Sequence, residues 1–183
     1  MGLAVLASGS GTLLEAILAD GLHPLVVVSD RPCRALDVAA GAGVPVRLVE
    51  RREFGPDFDR AAYTDEVVRV LKDAGTGLVA MAGFMTVLGP GAFAAFPDRI
   101  LNTHPSLLPA FPGAHAVRDA LAFGAKVTGC TVHVATETVD HGPILAQEAV
   151  PVLPCDDEAT LHERIKAVER RLYPRIIAEA ASS

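Results

Sequence analysis

Short apolar runs and helically spaced apolar stripes alternate along this chain, and their order predicts its elements. Leu3 to Ala7 reads as a first strand, and Leu13, Leu14, Ile17 and Leu18 follow at helical spacing. Leu25 to Ser29 predicts a second strand, Ala35 to Ala42 a helix ended by Gly43, and Val44 to Val49 a third strand. A charged loop from Arg51 to Asp59 leads into Ala61 to Ala74, where Val67, Val68 and Leu71 keep the helical period. Leu78 to Met81 and Ile100 to His104 are further strands, and the segment from Ala82 to Pro90 is too apolar for an ordinary surface connection. After a helix from about Ala116 to Phe123, Val127 to Ala135 and Ile144 to Val152 read as two strands close enough in sequence for an antiparallel hairpin. A last helix starts between Pro154 and Glu158, where Asp156, Asp157 and Glu158 suit the positive end of its dipole. Leu161, Ile165, Val168, Leu172 and Ile176 form its buried stripe, and Pro174 predicts a kink or a break.

Strands alternating with helices imply right-handed crossovers, hence an α/β protein: a Rossmann-like three-layer α/β/α domain with a mostly parallel sheet and an antiparallel hairpin in its C-terminal half. In such sheets ligands lie beyond the carboxyl ends of the strands. The 183 residues fit one domain; half are hydrophobic and none is Trp, so the core is built from Ala, Val, Leu and Ile, as a buried parallel sheet requires. A formal charge of -6 and the absence of a dense basic run argue against a nucleic-acid surface. The apolar N-terminus lacks a basic region and runs into a Gly/Ser turn, which reads as a strand rather than a signal peptide, and no later apolar run is long enough to span a membrane. Cys33, Cys130 and Cys155 are odd in number and far apart, as expected of reduced thiols in the cytoplasm.

Two places carry candidate chemistry. In an extended Ile100 to His104, Asn102 and His104 project to one face while Leu101 and Thr103 project to the other, and Pro105 stops the strand. An amide beside an imidazole can stabilise an oxyanion and move a proton; a strand edge facing water would read the same way. Ser8-Gly9-Ser10-Gly11-Thr12 joins the first strand to a helix N-terminus, whose free amides suit a phosphate. The loop lacks the last glycine of the dinucleotide fingerprint, although Asp30 lies where that fingerprint expects a ribose-binding acid; a tight turn with Thr12 near a helix cap is the plainer alternative.

Taken together, Ser8-Gly9-Ser10-Gly11-Thr12, Ala82-Gly83-Phe84-Met85, Asn102-x-His104-Pro105-Ser106-Leu107-Leu108-Pro109, Phe111-Pro112-Gly113 and Asp140-x-Gly142-Pro143 occur in the order and spacing of one family. The chain resembles the formyltransferases that use 10-formyltetrahydrofolate, from its first strand to its terminal helix. Relatives that formylate methionyl-tRNA or oxidise formyltetrahydrofolate share the Asn, His and Asp but typically carry Arg-Gly where this chain has Phe111-Pro112-Gly113, and the deformylases carry a preceding regulatory domain. The resemblance therefore implies the branch acting on glycinamide ribonucleotide in purine synthesis. Its amine attacks the formyl carbon on N10 of the folate co-substrate; Asn102 and His104 would hydrogen-bond the oxyanion, His104 would donate a proton, and Asp140 would keep His104 protonated and order a relaying water. No metal is required, and His23, His115, His133, His141 and His162 are assigned to core or surface.

The resemblance also implies the binding residues. Gly11, Thr12 and Leu13 match the phosphate loop, with Leu13 in place of a common Asn, so its contact comes from the backbone. Lys166 and Glu169 match ribonucleotide contacts, and both also suit a solvated helix face. Arg60 matches an arginine that meets the glutamate tail of the folate; Met85, Thr86, Val87 and Leu88 match its binding segment, and Thr136, Glu137, Thr138, Val139 and Asp140 the loop that closes on the pterin. The single domain 1–183 would then divide into a ribonucleotide-phosphate half, about 1–100, and a folate and catalytic half, about 101–183. Partners would be the two small substrates, with no nucleic acid or membrane, and the protein would be a monomer or weak homodimer. The chain ends at Ser183, just after the terminal helix, where many relatives continue, which bears on edge covering and dimer contacts. Two alternatives remain: hydrolysis of formyltetrahydrofolate, which leaves the phosphate loop idle, and a non-catalytic nucleotide-binding Rossmann-like module, which has no use for Asn102, His104 and Asp140 together.

Overall fold

The computed structural model describes residues 1–182. Seven strands form one sheet: β1 (Leu3–Leu6), β2 (Val26–Ser29), β3 (Val46–Leu48), β4 (Leu78–Met81), β5 (Ile100–His104), β6 (Val127–Val134) and β7 (Ile144–Pro151). Their order is β3-β2-β1-β4-β5-β6-β7. β1 to β5 are mutually parallel where they pair, and β6 runs antiparallel to both neighbours. The helices are α1 (Thr12–Ala19), α2 (Arg34–Gly41), α3 (Arg60–Asp73), α4 (Pro90–Ala95), α5 (Ala116–Phe123) and α6 (Glu158–Ser182).

Successive strand residues face opposite ways, and helices cover both faces, so the central strands are apolar at every position. Leu3 and Val5 of β1 pack with Leu14 and Ile17 of α1 and Leu161 and Ile165 of α6; Ala4 and Leu6 pack with Val67 and Leu71 of α3 and Ala92 of α4. Each fully buried Leu or Ile contributes about 1.5–3 kcal/mol relative to exposure.

Two expectations are corrected. α4 was absent from the pattern because Gly89-Pro90-Gly91 reads as a breaker, yet Pro90 sits in the first turn, where its missing N–H would be unpaired anyway, and Ala92 and Phe96 are buried. α6 does not break at Pro174. Leu172, Tyr173, Ile176 and Ile177 hold the helix to the sheet on both sides of the proline, and the buried Tyr173 hydroxyl donates to the Leu101 carbonyl at 2.8 Å, so packing outweighs the lost helical hydrogen bond.

The chain leaves β1 toward β2 on one side and returns to β4 on the other. The connections after β1 and β4 therefore diverge to opposite faces and open a crevice at their carboxyl ends. The Ser8 to Thr12 loop and the Ala82 to Leu88 segment border it.

Candidate active site

β5 forms a partition at this crevice. Its period of two turns Asn102 toward a cavity of about 130 Å³ lined also by Phe84, Leu88 and Val139. Thr103, facing the other way, lines a second cavity, of about 330 Å³, with Gly11 and Glu169. Met85 lines both.

On the Asn102 side, the antiparallel register places His133 of β6 directly opposite Asn102. His133 Nδ1 lies 3.0 Å from the Val134 carbonyl oxygen, which can only accept, so this nitrogen carries the proton and Nε2 accepts from the Asn102 amide at 3.2 Å. Burial pushes the His133 pKa below the ordinary imidazole value, against the pull of the Val134 bond and of Asp140, and so favours this neutral tautomer. With one N–H spent on His133, the Asn102 amide keeps a second for a ligand in the cavity.

Asp140 meets both histidines: Oδ2 is 3.5 Å from His104 Nδ1 and Oδ1 is 3.8 Å from His133 Nε2. The Gly113 N–H donates to Oδ2 at 2.8 Å, and His104 Nε2 donates to the Phe111 carbonyl at 2.9 Å. The side chains of His104 and Asp140 are 7% and 4% exposed, so little bulk water screens the pair. Two φ angles in the left-handed region, 60° at Asp140 and 51° at Phe111, aim these groups, a conformation that aspartate tolerates better than most residues. Two residues further on, a methyl group on Gly142 would run into the Val134 carbonyl oxygen, so only glycine lets the loop lie this close to β6.

The structure brings most of the predicted residues to the two cavities. Met85, Thr86, Val87, Leu88, Asn102, Thr136, Val139 and Asp140 line the first, and Gly11, Thr12, Leu13, Lys166 and Glu169 the second. Thr86 contributes its main chain, since its hydroxyl turns inward and donates to Asp30 at 2.6 Å. Glu137, Thr138 and Arg60 are exposed and outside the cavity lining; His104 is also outside it but buried, standing behind Asp140. A larger groove of about 490 Å³ between β3 and α3 contains none of the predicted residues.

At the second cavity Gly11 caps α1 with φ 75°, and a methyl there would come within 2.9 Å of the Ala35 backbone, so the glycine lets α1 begin against α2. Leu13 is buried and offers only its backbone. Burial pushes the Glu169 carboxyl above the usual carboxylate range, opposed by the Thr103 hydroxyl and the Lys166 and Arg170 charges. Asp30 is not a free ribose acceptor: its side chain is wholly buried and already bonded to Arg31 and Thr86.

His133 was the residue that sequence reasoning missed. Its signal is Thr131 and His133 at a period of two in the second half of β6, but what they meet on the neighbouring strand depends on register. Among the described residues no three His, Cys, Asp or Glu side chains gather as a metal-ligand group, and no helix is long and apolar enough to cross a membrane.

A model of the family described as formyl transferase matches residues 1–177. The chain belongs to the formyl transferase family. Among formyl transferases it is 50% identical over 185 residues to the phosphoribosylglycinamide formyltransferase of Mycobacterium tuberculosis, covering 98% of this chain and 85% of that protein. It is 41% identical over 186 residues to the trifunctional purine biosynthetic protein adenosine-3 of Gallus gallus, covering 98% of this chain and 18% of that one. The crystal structure of phosphoribosylglycinamide formyltransferase from Streptococcus pneumoniae superposes with a TM-score of 0.91 at 35% identity, covering 100% of this chain and 99% of that chain.

Proposed function

We propose that this chain transfers the formyl group of 10-formyltetrahydrofolate to the amine of glycinamide ribonucleotide, a step of purine biosynthesis. The observation that carries the reading is the pair of cavities on opposite sides of β5, one with Asn102 and Asp140 on its wall and the other at a helix N-terminus, sharing Met85 between them. Backbone amides at Gly11 to Leu13 suit the ribonucleotide phosphate, Lys166 adds charge, and Glu169 can accept from ribose hydroxyls. Phe84, Leu88 and Val139 offer apolar walls to a flat pterin, beside main-chain polar groups of the Met85 to Leu88 segment and of Thr136. Arg60, Glu137 and Thr138 lie outside the lining and would meet the outer part of the folate.

Attack of the amine puts negative charge on the formyl oxygen, and the free N–H of Asn102 is the donor for it. The amine must also lose a proton as N10 of the folate gains one. Asp140, on the cavity wall and beside His104, is placed to hand that proton over, with His104 as its carrier. The free thiols of Cys33, Cys130 and Cys155 fit the reducing cytoplasm, where both substrates would be met. Following 10-formyltetrahydrofolate in the presence and absence of glycinamide ribonucleotide tests the reading: consumption should require the ribonucleotide. Equal consumption without it would identify a hydrolase instead.

A further inference from the structure

The connections after three strands meet at one carboxylate. Asp30 directly follows β2, and its side chain has no exposed surface. Arg31 donates from Nε at 2.9 Å and from Nη2 at 3.1 Å, and Thr86, beyond β4, donates from Oγ1 at 2.6 Å. The Ser8 hydroxyl, beyond β1, is near enough to Asp30 to help lower its pKa. Ser8 Oγ in turn accepts the Met85 N–H at 2.9 Å. Burial works to raise the Asp30 pKa, but Arg31, Thr86 and Ser8 together outweigh it and leave the group below the ordinary carboxylate value. The anion is thus buried and bonded by its own surroundings rather than open to a ligand.

What it does hold is the spacing between two loops. Ser8 opens the glycine loop that leads to Gly11, Thr12 and Leu13 on the second cavity. Met85 and Thr86 line the first cavity, and Met85 lines both. Apart from the backbone bond from the Ser8 N–H to the Gly83 carbonyl at 3.2 Å, these loops are held through the Ser8 side chain, which takes the Met85 N–H, and the Asp30 carboxylate, which takes the Thr86 hydroxyl.

We propose that Asp30 is a positioning residue that fixes the distance between the ribonucleotide loop and the folate segment, so that one carboxylate touching neither substrate governs the binding of both. The proposal rests on the reading of the two cavities given above. Asp30→Asn keeps the volume but removes the charge that holds three donors. The KM for each substrate should rise about tenfold, roughly the loss of one charge-assisted hydrogen bond, with kcat changed much less. Thr86→Val frees only the folate segment and should raise the KM for 10-formyltetrahydrofolate alone. Both variants are compared by steady-state kinetics, with circular dichroism and thermal melting to confirm that each is folded. A folded Asp30→Asn enzyme in which neither KM or only one rises overturns the proposal, as does a Thr86→Val enzyme in which both rise equally. If Asp30→Asn does not fold, the Thr86→Val split and a Ser8→Ala variant, expected to raise both KM values, decide the matter in the same way. Absence of ribonucleotide-dependent turnover in the unsubstituted protein would instead overturn the function itself, and is read in the same assay.

Discussion

In the proposed reaction a single amide, that of Asn102, meets the developing negative charge, and its orientation is set by a neighbour. Asn102→Ala removes a donor aimed at developing negative charge, so kcat should fall about 10²- to 10³-fold, as for other single oxyanion donors. His133→Ala leaves the amide free to rotate and should cost less. Because both substitutions act on one group, the double variant should lose little more than Asn102→Ala alone, and single-turnover kinetics on the three variants would check that non-additivity; strictly multiplied losses would separate the two residues. At this scale the sequence was legible wherever side-chain parity alone decides: Asn102 and His104 share a face because strands alternate. It was not legible where a partner comes from another strand. His133 meets Asn102 only through the antiparallel register, and Asp30, which by spacing resembles a ribose ligand, is claimed by Thr86 from a loop distant in sequence.

Elements are held by their ends as much as by their faces. At the start of α6 the Asp157 carboxylate accepts the Thr160 N–H at 2.8 Å, and Arg164 forks onto Asp156 at 2.7 and 2.8 Å. Hydrogen bonds from Arg164 first, then from the Leu153 N–H, lower the Asp156 pKa from 3.8 to about 2. A carboxyl depressed in the folded state stabilises it above its unfolded value and loses that contribution as pH falls through the folded one. The excess stability of the unsubstituted protein over Asp156→Asn should thus hold steady above about pH 4 and shrink between pH 4 and about 2, measured as paired thermal melts along a pH series. A gap independent of pH over that window would count against the assignment. Strand and helix positions were readable because each carries its own period; the course of α6 through Pro174 was not, since it depends on a tyrosine reaching a strand 72 positions away in sequence.

The molecule as a whole is one sheet with a layer of helices on each face, and both cavities open from that sheet. Leu6 has no exposed surface and belongs to the cluster under α3 and α4. Leu6→Ala should cost about 2–5 kcal/mol in urea unfolding, with the two cavities lost in a single transition. Separate transitions for the two faces would contradict a shared core. The parallel architecture was readable from uniformly apolar strands, whereas the wall common to both cavities was not, because Met85 earns that place only through where β1, β4 and β5 lie together.

β5 also sets a rule for how this chain can change length. Its alternate residues serve different cavities, so the chemistry there is written as odd and even positions. An insertion of one residue before Asn102 would send the amide to the second cavity and the neighbouring threonine to the first without altering a single side chain. The charged stretch from Arg51 to Asp59, outside both cavity linings, has no such parity to keep, and variation in length belongs there.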